Sequence, residues 1–336
     1  MKYKRGGTTY ANAIGRIRVK ERMLFNRPYL ISLAEANGSV DVMEMLAKTS
    51  YAKYFDKSPP EMDYKEIIKR KWMSVRNLYR KFSLGDAVGN LLWGRHDLSN
   101  VKILLKSKYL GIEPEELSEL GNISLEKLKS YILADKKSAV PSWIDRGVAA
   151  VRKKFEISKD PRDISLVMDR EYFSLLRRHI GIESNKFLKD LLIVEIDLHN
   201  IKVFLRIKGQ SNVQKFLDEG LVEGGSKRKR FYVDLAGASP DKIIGAYANT
   251  VYSNFVKEGI QIYDKEKSFW RIEKMADNHL LNFVKQVKHA AFGFEPLIAY
   301  VFARRNEEKA LRLIMEGKLT GVTTDFIKER IPGSYV

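Results

Sequence analysis

Two carboxylates and two amides stand at matched spacing, in Asp97-Leu-Ser-Asn100 and Asp197-Leu-His-Asn200. A carboxylate held in a helix can act as a general acid or base. Neither copy has a cysteine or a second acid beside it on the same helix face, however, and His199 falls on the opposite, polar face. Acid–amide pairs of this kind more often hold structure together than carry chemistry. The pattern is read as a structural clasp formed by Asp97, Asn100, Asp197 and Asn200, with no catalytic, cofactor-binding or metal-binding residue.

Other chemistries are excluded by residue type. The chain has no cysteine, which removes disulfides, thiol catalysis and cysteine zinc sites. Its five histidines, His96, His179, His199, His279 and His289, include no i,i+4 pair that would seat a metal on one helix. No phosphate-binding Gly-x-x-x-x-Gly-Lys-Ser/Thr loop, dinucleotide fingerprint, His-Glu-x-x-His or Gly-x-Ser-x-Gly elbow occurs. No cofactor is expected.

The clasps belong to a repeat. Asp97–Lys106 recurs as Asp197–Arg206 and, more faintly, as Glu307–Glu316, and Leu91-Leu92 recurs as Leu191-Leu192. From Asn185 to Lys208 no proline intervenes, and Phe187, Leu191, Val194, Leu198, Ile201 and Leu205 recur at steps of four and three. That is the stripe of a long amphipathic helix. Ile193, Ile196, Val203 and Ile207 form a second stripe, which leaves Glu195, His199, Lys202 and Arg206 as the polar face. At 100° per residue Asp197 and Asn200 fall in the apolar arc. An unpaired buried polar group costs about 1–3 kcal/mol, so each must have a partner. The third copy has Ala310 in the asparagine position and Arg304 and Glu308 where the others keep small or apolar residues, so no Asp/Asn clasp is expected there.

The three polar faces carry a basic strip: Arg95, Lys102 and Lys106, then Lys202 and Arg206, then Arg305, Lys309 and Arg312. On helices apolar around most of their circumference, such strips face either water or an internal cavity, and they are the candidate partner-facing residues.

A second part of the repeat is Leu33-Ala-Glu-Ala36 through Thr49-Ser-Tyr51, copied as Leu235-Ala-Gly-Ala238 through Thr250-Val-Tyr252. A degenerate middle copy near Leu133-Ala134-Asp135 lacks the Thr-x-Tyr. The repeats predict three similar helical domains, 1–110, 111–213 and 214–336, the last with a tail helix from Asp325 to Ile331. Tyr10 to Phe25 and Lys65 to Lys81 read as helices, and Pro114 suits the first turn of a short one. Pro296 opens the last long helix and Gly317 ends it. Ser158 to Asp163 and Glu223 to Arg230 read as loops, the latter with the basic run Lys227–Arg230. Strand signals are scarce, so the fold class is all-α.

With 336 residues and 44% hydrophobic content the chain can bury a sizeable core. Sixty Lys and Arg against 42 Asp and Glu give +18, a field that favours acidic partners. The start, Met1-Lys-Tyr-Lys-Arg-Gly-Gly7, lacks a signal peptide's apolar core. No apolar run approaches the roughly 20 residues that span a bilayer, so membrane contact is expected to be peripheral and the location cytoplasmic.

These residues resemble the C protein of the bacterial and archaeal V-type, or A-type, rotary ATP synthase, which is related to the d protein of the eukaryotic V-ATPase. The resemblance rests on Tyr10-Ala-Asn-Ala-Ile-Gly-Arg-Ile-Arg18, the Asp-Leu-x-Asn-Val/Ile-Lys helices, Glu295-Pro-Leu-Ile-Ala-Tyr300 and Leu311-Arg-Leu-Ile-Met-Glu-Gly-Lys318. It implies a non-catalytic protein of three helical domains in a pseudo-threefold funnel, on the cytoplasmic side of the membrane proteolipid ring. Its pocket would receive the D and F proteins of the shaft. The rival reading is a basic helical-repeat RNA-binding protein, motivated by the net charge and Lys227–Arg230. The resemblance argues against it, and no nucleic acid is expected.

Overall fold

Helix periodicity runs through almost every apolar segment, and every regular element of the computed structural model is helical among the residues it describes, 10–58, 63–82, 84–136, 138–207, 213–266 and 268–336. The segment Met1–Gly7 and the predicted helix end at Lys208 lie outside the described residues. In chain order the helices are α1 (Ala11–Glu21), α2 (Arg27–Glu35), α3 (Ser39–Ala47), a 3₁₀ turn (Ala52–Tyr54) and α4 (Tyr64–Tyr79). Then come α5 (Gly85–Leu110), α6 (Leu125–Ile132), α7 (Ser142–Ser158), α8 (Pro161–Gly181) and α9 (Lys186–Ile207). They are followed by α10 (Val213–Gly220), α11 (Lys229–Asp234), α12 (Pro240–Tyr247), α13 (Ser253–Glu266), α14 (Trp270–Lys285), α15 (Glu295–Leu319) and α16 (Thr324–Arg330). None of the described helices is long and apolar enough to cross a membrane.

Side chains start several helices by capping amides that have no intrahelical acceptor. Asn26 Oδ1 accepts from Tyr29 N at 2.9 Å, with Pro28 in the first turn of α2. Asn185 Oδ1 accepts from Leu188 N at 3.0 Å ahead of α9, and Asp160 Oδ1 accepts from Arg162 N at 2.9 Å ahead of α8. Gly111, at φ 66°, closes α5 in the left-handed conformation.

The chain divides into two compact units, one of Met1–Ser83 with Ile262–Val336 and one of Leu84–Gln261. In the first, α15 is the central rod, packed by α1, α2, α3, α4, α14 and α16. Leu297 to Ala303 is buried without a break. In the second, α8 packs against α5, α7 and α9, while α6 lies on α5 and α10 on α9. The crossing of α5 and α8 is close because Gly94 has no side chain: a Cβ there would sit 3.0 Å from the ring of Tyr172, whose hydroxyl donates to the Asn90 carbonyl at 2.9 Å.

Two local expectations are corrected. Residues 112–118 form no helix. The Asn100 side chain takes up both backbone groups of Ser118, which holds that end of the segment extended along α5. Nor does Gly317 end the last long helix, which continues to Leu319. Gly317 lies where α16 crosses the last turns of α15, and a Cβ there would come within 2.6 and 2.7 Å of Ile327 Cδ1 and Cγ1. Gly317→Val should therefore cost about 1–3 kcal/mol by overpacking, and adding Ile327→Ala should recover part of the loss. Denaturant melts of both variants measure this.

Candidate functional site

The long helices α5, α9 and α15 each carry a buried carboxylate that takes its donors from a loop. On α9, Asp197 is 1% exposed, accepting from Ser226 N (2.7 Å) at Oδ1 and from the Tyr252 hydroxyl (2.9 Å) at Oδ2. Asn200 grips the chain four residues before Ser226, donating to Val222 O and accepting from Val222 N, both at 2.8 Å. On α5, Asp97 accepts from Asn122 N (2.8 Å) and Ile123 N (3.0 Å). Asn100 takes both backbone groups of Ser118 at 2.8 Å, again four residues before the first amide held by the acid.

On α15 the acid is Glu307, 4% exposed. Its Oε2 accepts from Phe25 N (2.8 Å) and its Oε1 from the Tyr51 hydroxyl (2.9 Å). The third helix thus has no Asp/Asn clasp but holds its loop through a glutamate. Phe25 and Tyr51 are 26 residues apart, as are Ser226 and Tyr252, so the third long helix closes on a loop and tyrosine from the start of the chain. No amide stands at Ala310, and Arg304 supplies the further donor. Its guanidinium is ion-paired with Glu307 and donates to the Tyr51 hydroxyl oxygen at 2.7 Å.

The turn presenting each tyrosine is the same. Thr49 Oγ1 donates to Leu46 O (2.7 Å) and accepts from Tyr51 N (3.2 Å). Thr250 Oγ1 does so with Tyr247 O (2.8 Å) and Tyr252 N (3.2 Å). Burial, and then the Asp197 charge, pushes the Tyr252 hydroxyl well above its usual pKa. Burial also raises Tyr51, with Glu307 adding to the effect and Arg304 opposing it. Both phenols therefore remain donors at any ordinary pH. In the α5 clasp, which has no Thr-x-Tyr, the Ile123 amide takes the place of the hydroxyl.

Glycine makes room for two of the carboxylates. A Cβ on Gly121 or Gly225 would overlap the carboxylate of Asp97 or Asp197. In the third clasp the acid is one methylene longer, and the residue before its amide is Leu24, which carries a side chain. Gly121, Gly225, Tyr51, Tyr252, Arg304 and Glu307 were not among the site residues read from the sequence. Their signal was there in the duplicated Thr-x-Tyr and in the glycine preceding the held amide at Asn122 and Ser226.

The basic strip is mostly engaged within its own unit. Arg95 pairs with Glu195 at 2.9 Å, and the glutamate, placed on the open polar face by periodicity, is 3% exposed. The α5 and α9 strips are thus joined by an ion pair, and Glu195 is withdrawn from water. Lys102 pairs with Asp169 of α8, Lys309 with Asp277 of α14 at 2.5 Å, and Arg312 with Glu308 at 2.8 Å. Arg305 lies 4.9 Å from the Phe302 ring centre. Lys106 and Lys202 are half-buried and Arg206 is exposed. His199, lowered by burial, has Nε2 at 3.2 Å from Gly220 O. In the basic run, whose Lys229 and Arg230 begin α11 rather than lying in a loop, Lys227 covers the Phe231 ring (4.7 Å), Lys229 donates to Asp218 O (2.9 Å) and Arg230 pairs loosely with Asp234 (3.7 Å).

Both oxygens of every clasp carboxylate are occupied by donors, and no group of three or more potential metal ligands occurs among the described residues. The arrangement is suited to holding loops on helices. Fold and site together define a class: all-helical repeat proteins whose long helices clasp returning loops through a buried acid.

Within that class, the model of the ATP synthase (C/AC39) subunit family matches residues 13–330, and the chain belongs to that family. It is 26% identical to the C protein of the A-type ATP synthase of Methanocaldococcus jannaschii, over 95% of this chain and 85% of that protein. It is 24% identical to the C protein of the V-type sodium ATPase of Enterococcus hirae, over 95% and 97%. The match with the corresponding A-type ATP synthase protein of Archaeoglobus fulgidus covers 98% of both chains at 22% identity.

Asp197→Ala leaves the Ser226 amide and the Tyr252 hydroxyl without their buried acceptor, so it should lose about 1–3 kcal/mol for each in a chemical melt. Gly225→Ala, which displaces the same carboxylate from Ser226 and Tyr252, should lose about 1–3 kcal/mol. A loss within about 0.5 kcal/mol, the range of neutral surface changes, would count against the clasp as a stabilising element.

Proposed function

We propose that this chain is a non-catalytic central-stalk component of a V/A-type rotary ATPase or ATP synthase. In this reading it is a socket coupling the D and F proteins of the shaft to the membrane proteolipid ring, peripheral on the cytoplasmic face, in a complex that moves protons or sodium ions. Three similar helical domains make up the socket. The third would draw its loop and tyrosine from Phe25–Tyr51, so the boundary at residue 110 would enclose part of two domains.

The observation that carries the reading is the recurrence of one clasp on three long helices, in a chain matching the family model over nearly its whole length. A part that transmits torque must resist sliding between helix and loop. A hydrogen-bonded acid has one bonding register, whereas an apolar seam tolerates several. The net charge of +18 supplies long-range attraction for an acidic shaft partner.

Two outcomes are expected. The highly purified chain should not hydrolyse ATP, and steady-state hydrolysis abolished by a single substitution in this chain would overturn the non-catalytic reading. Arg206 is exposed and Lys106 half-buried, and docking is probed at these two positions. Lys106→Glu with Arg206→Glu should slow association with a purified shaft complex at low salt, with wild type and variant converging as salt rises. Unchanged association kinetics at low salt would remove these residues from the socket.

A further inference from the structure

The clasp on α15 has a second buried cation beside it. Lys71, on α4, is 6% exposed. Its ammonium donates to Ser50 Oγ at 2.9 Å and lies 4.5 Å from the Tyr51 ring centre and 5.4 Å from that of Tyr54. The Tyr51 ring also carries the Arg304 guanidinium at 5.3 Å, and the Tyr54 ring carries Lys53 at 5.1 Å. Cations and rings thus alternate, Lys53, Tyr54, Lys71, Tyr51, Arg304, along the turn that presents the clasp hydroxyl.

The charges acting on Lys71 come from each element packed around it. Lys20 belongs to α1, Lys53 to the 3₁₀ turn, and Arg304 and Glu307 to α15, where the Tyr300 hydroxyl is also buried. Glu307 is the one acid among them, and its oxygens are already taken by Phe25 N, Tyr51 and Arg304.

We propose that Lys71 is a proton switch on the third clasp: as the ammonium it favours release of the Thr49–Tyr54 turn from α4 and α15, and as the neutral amine it lets the turn close. Two cation–ring contacts and one hydroxyl favour the charged form, and burial beside other cations, with no acid of its own to pair with, opposes it. Desolvation first, and then Arg304, lower the Lys71 pKa from 10.5 to about 7. Within the turn the bonds are short-range, Tyr54 N to Tyr51 O at 2.9 Å and Thr49 Oγ1 to Leu46 O at 2.7 Å, and the ties that opening would break are those of the Tyr51 hydroxyl to α15 and of Lys71 to Ser50.

The direction follows from linkage. When the turn is open and Lys71 solvated, its pKa returns towards 10.5, so between about 7 and 10.5 the open form binds more protons than the closed one. The closed turn therefore gains stability as pH rises through that window, while below about 7 both forms are protonated and the penalty stays at its full size. Opening should be roughly thirtyfold less frequent at pH 8.5 than at pH 6.

The test is amide hydrogen exchange on the full chain at pH 6 and pH 8.5, corrected for intrinsic rates, alongside NMR titration of ¹⁵N-labelled lysine side chains. Tyr51 to Phe55 should gain protection at the higher pH, whereas Tyr252, presented by the same kind of turn to the clasp on α9, serves as the internal control. Lys71→Met should abolish the gain at Tyr51 to Phe55. If that variant does not fold, the wild-type titration and the Tyr252 comparison still decide. A Lys71 amine titrating near 10.5, an equal gain at Tyr252, or a gain that persists in Lys71→Met would each overturn the proposal.

Discussion

A carboxylate inside a helical core must find two donors there, and this requirement organises the molecule. Helix interiors offer none, because their amides are already bonded, so the donors have to come from loops or hydroxyls. Asp97 takes two loop amides, Asp197 one amide and a tyrosine, and Glu307 one amide, a tyrosine and an arginine. The bare backbone at Gly121 and Gly225 and the threonine turns at Thr49 and Thr250 are local consequences of bringing those donors within hydrogen-bond reach. So is the extended run beside α5, because Asn100 fixes Ser118 ahead of the loop that Asp97 needs.

The three clasps also show how much variation the constraint permits. Asn100 and Asn200 act as a small piece of pairing edge, engaging one residue's N–H and C=O together. The third copy dispenses with this grip and adds Arg304 one turn before the acid, which balances the charge and supplies a donor. Replacing a neutral amide by a cation brings a cost in solvation, met by ring contacts and by the pairing with Glu307. With Lys71 against the same tyrosine ring, this clasp is the electrostatically crowded one.

Periodicity made much of this legible. The phase of Asp197 and Asn200 on an otherwise apolar arc placed them in the interior, and the all-helical class followed from stripes at steps of three and four. What periodicity cannot convey is which residue comes from far away in the chain to satisfy a buried group. Glu195 illustrates this: on a helical wheel it joins the polar face, yet Arg95 from another long helix covers it. Glu307 illustrates the same limit from the other side, since its donors lie near the beginning of the sequence and the missing asparagine hid its kinship with Asp97 and Asp197. Pro114 suited a helix start by type alone, but the tie between Asn100 and Ser118 holds its segment extended. Gly317 read as a stop signal because glycine so often is one, whereas here it gives Ile327 space inside a continuing helix.

The bond from Phe25 to Glu307 spans 282 residues, and this bears on how the protein is made. A ribosome working at about 5–20 residues per second needs roughly 15–60 s to travel that distance. During that time α1, α2 and α3 are outside the tunnel while the rod they pack on does not yet exist. The Leu84–Gln261 unit, contiguous in sequence, has all its own parts available first. The earliest helices to be synthesised are thus among the last to be buried, and their apolar faces depend on something else to keep them soluble while they wait.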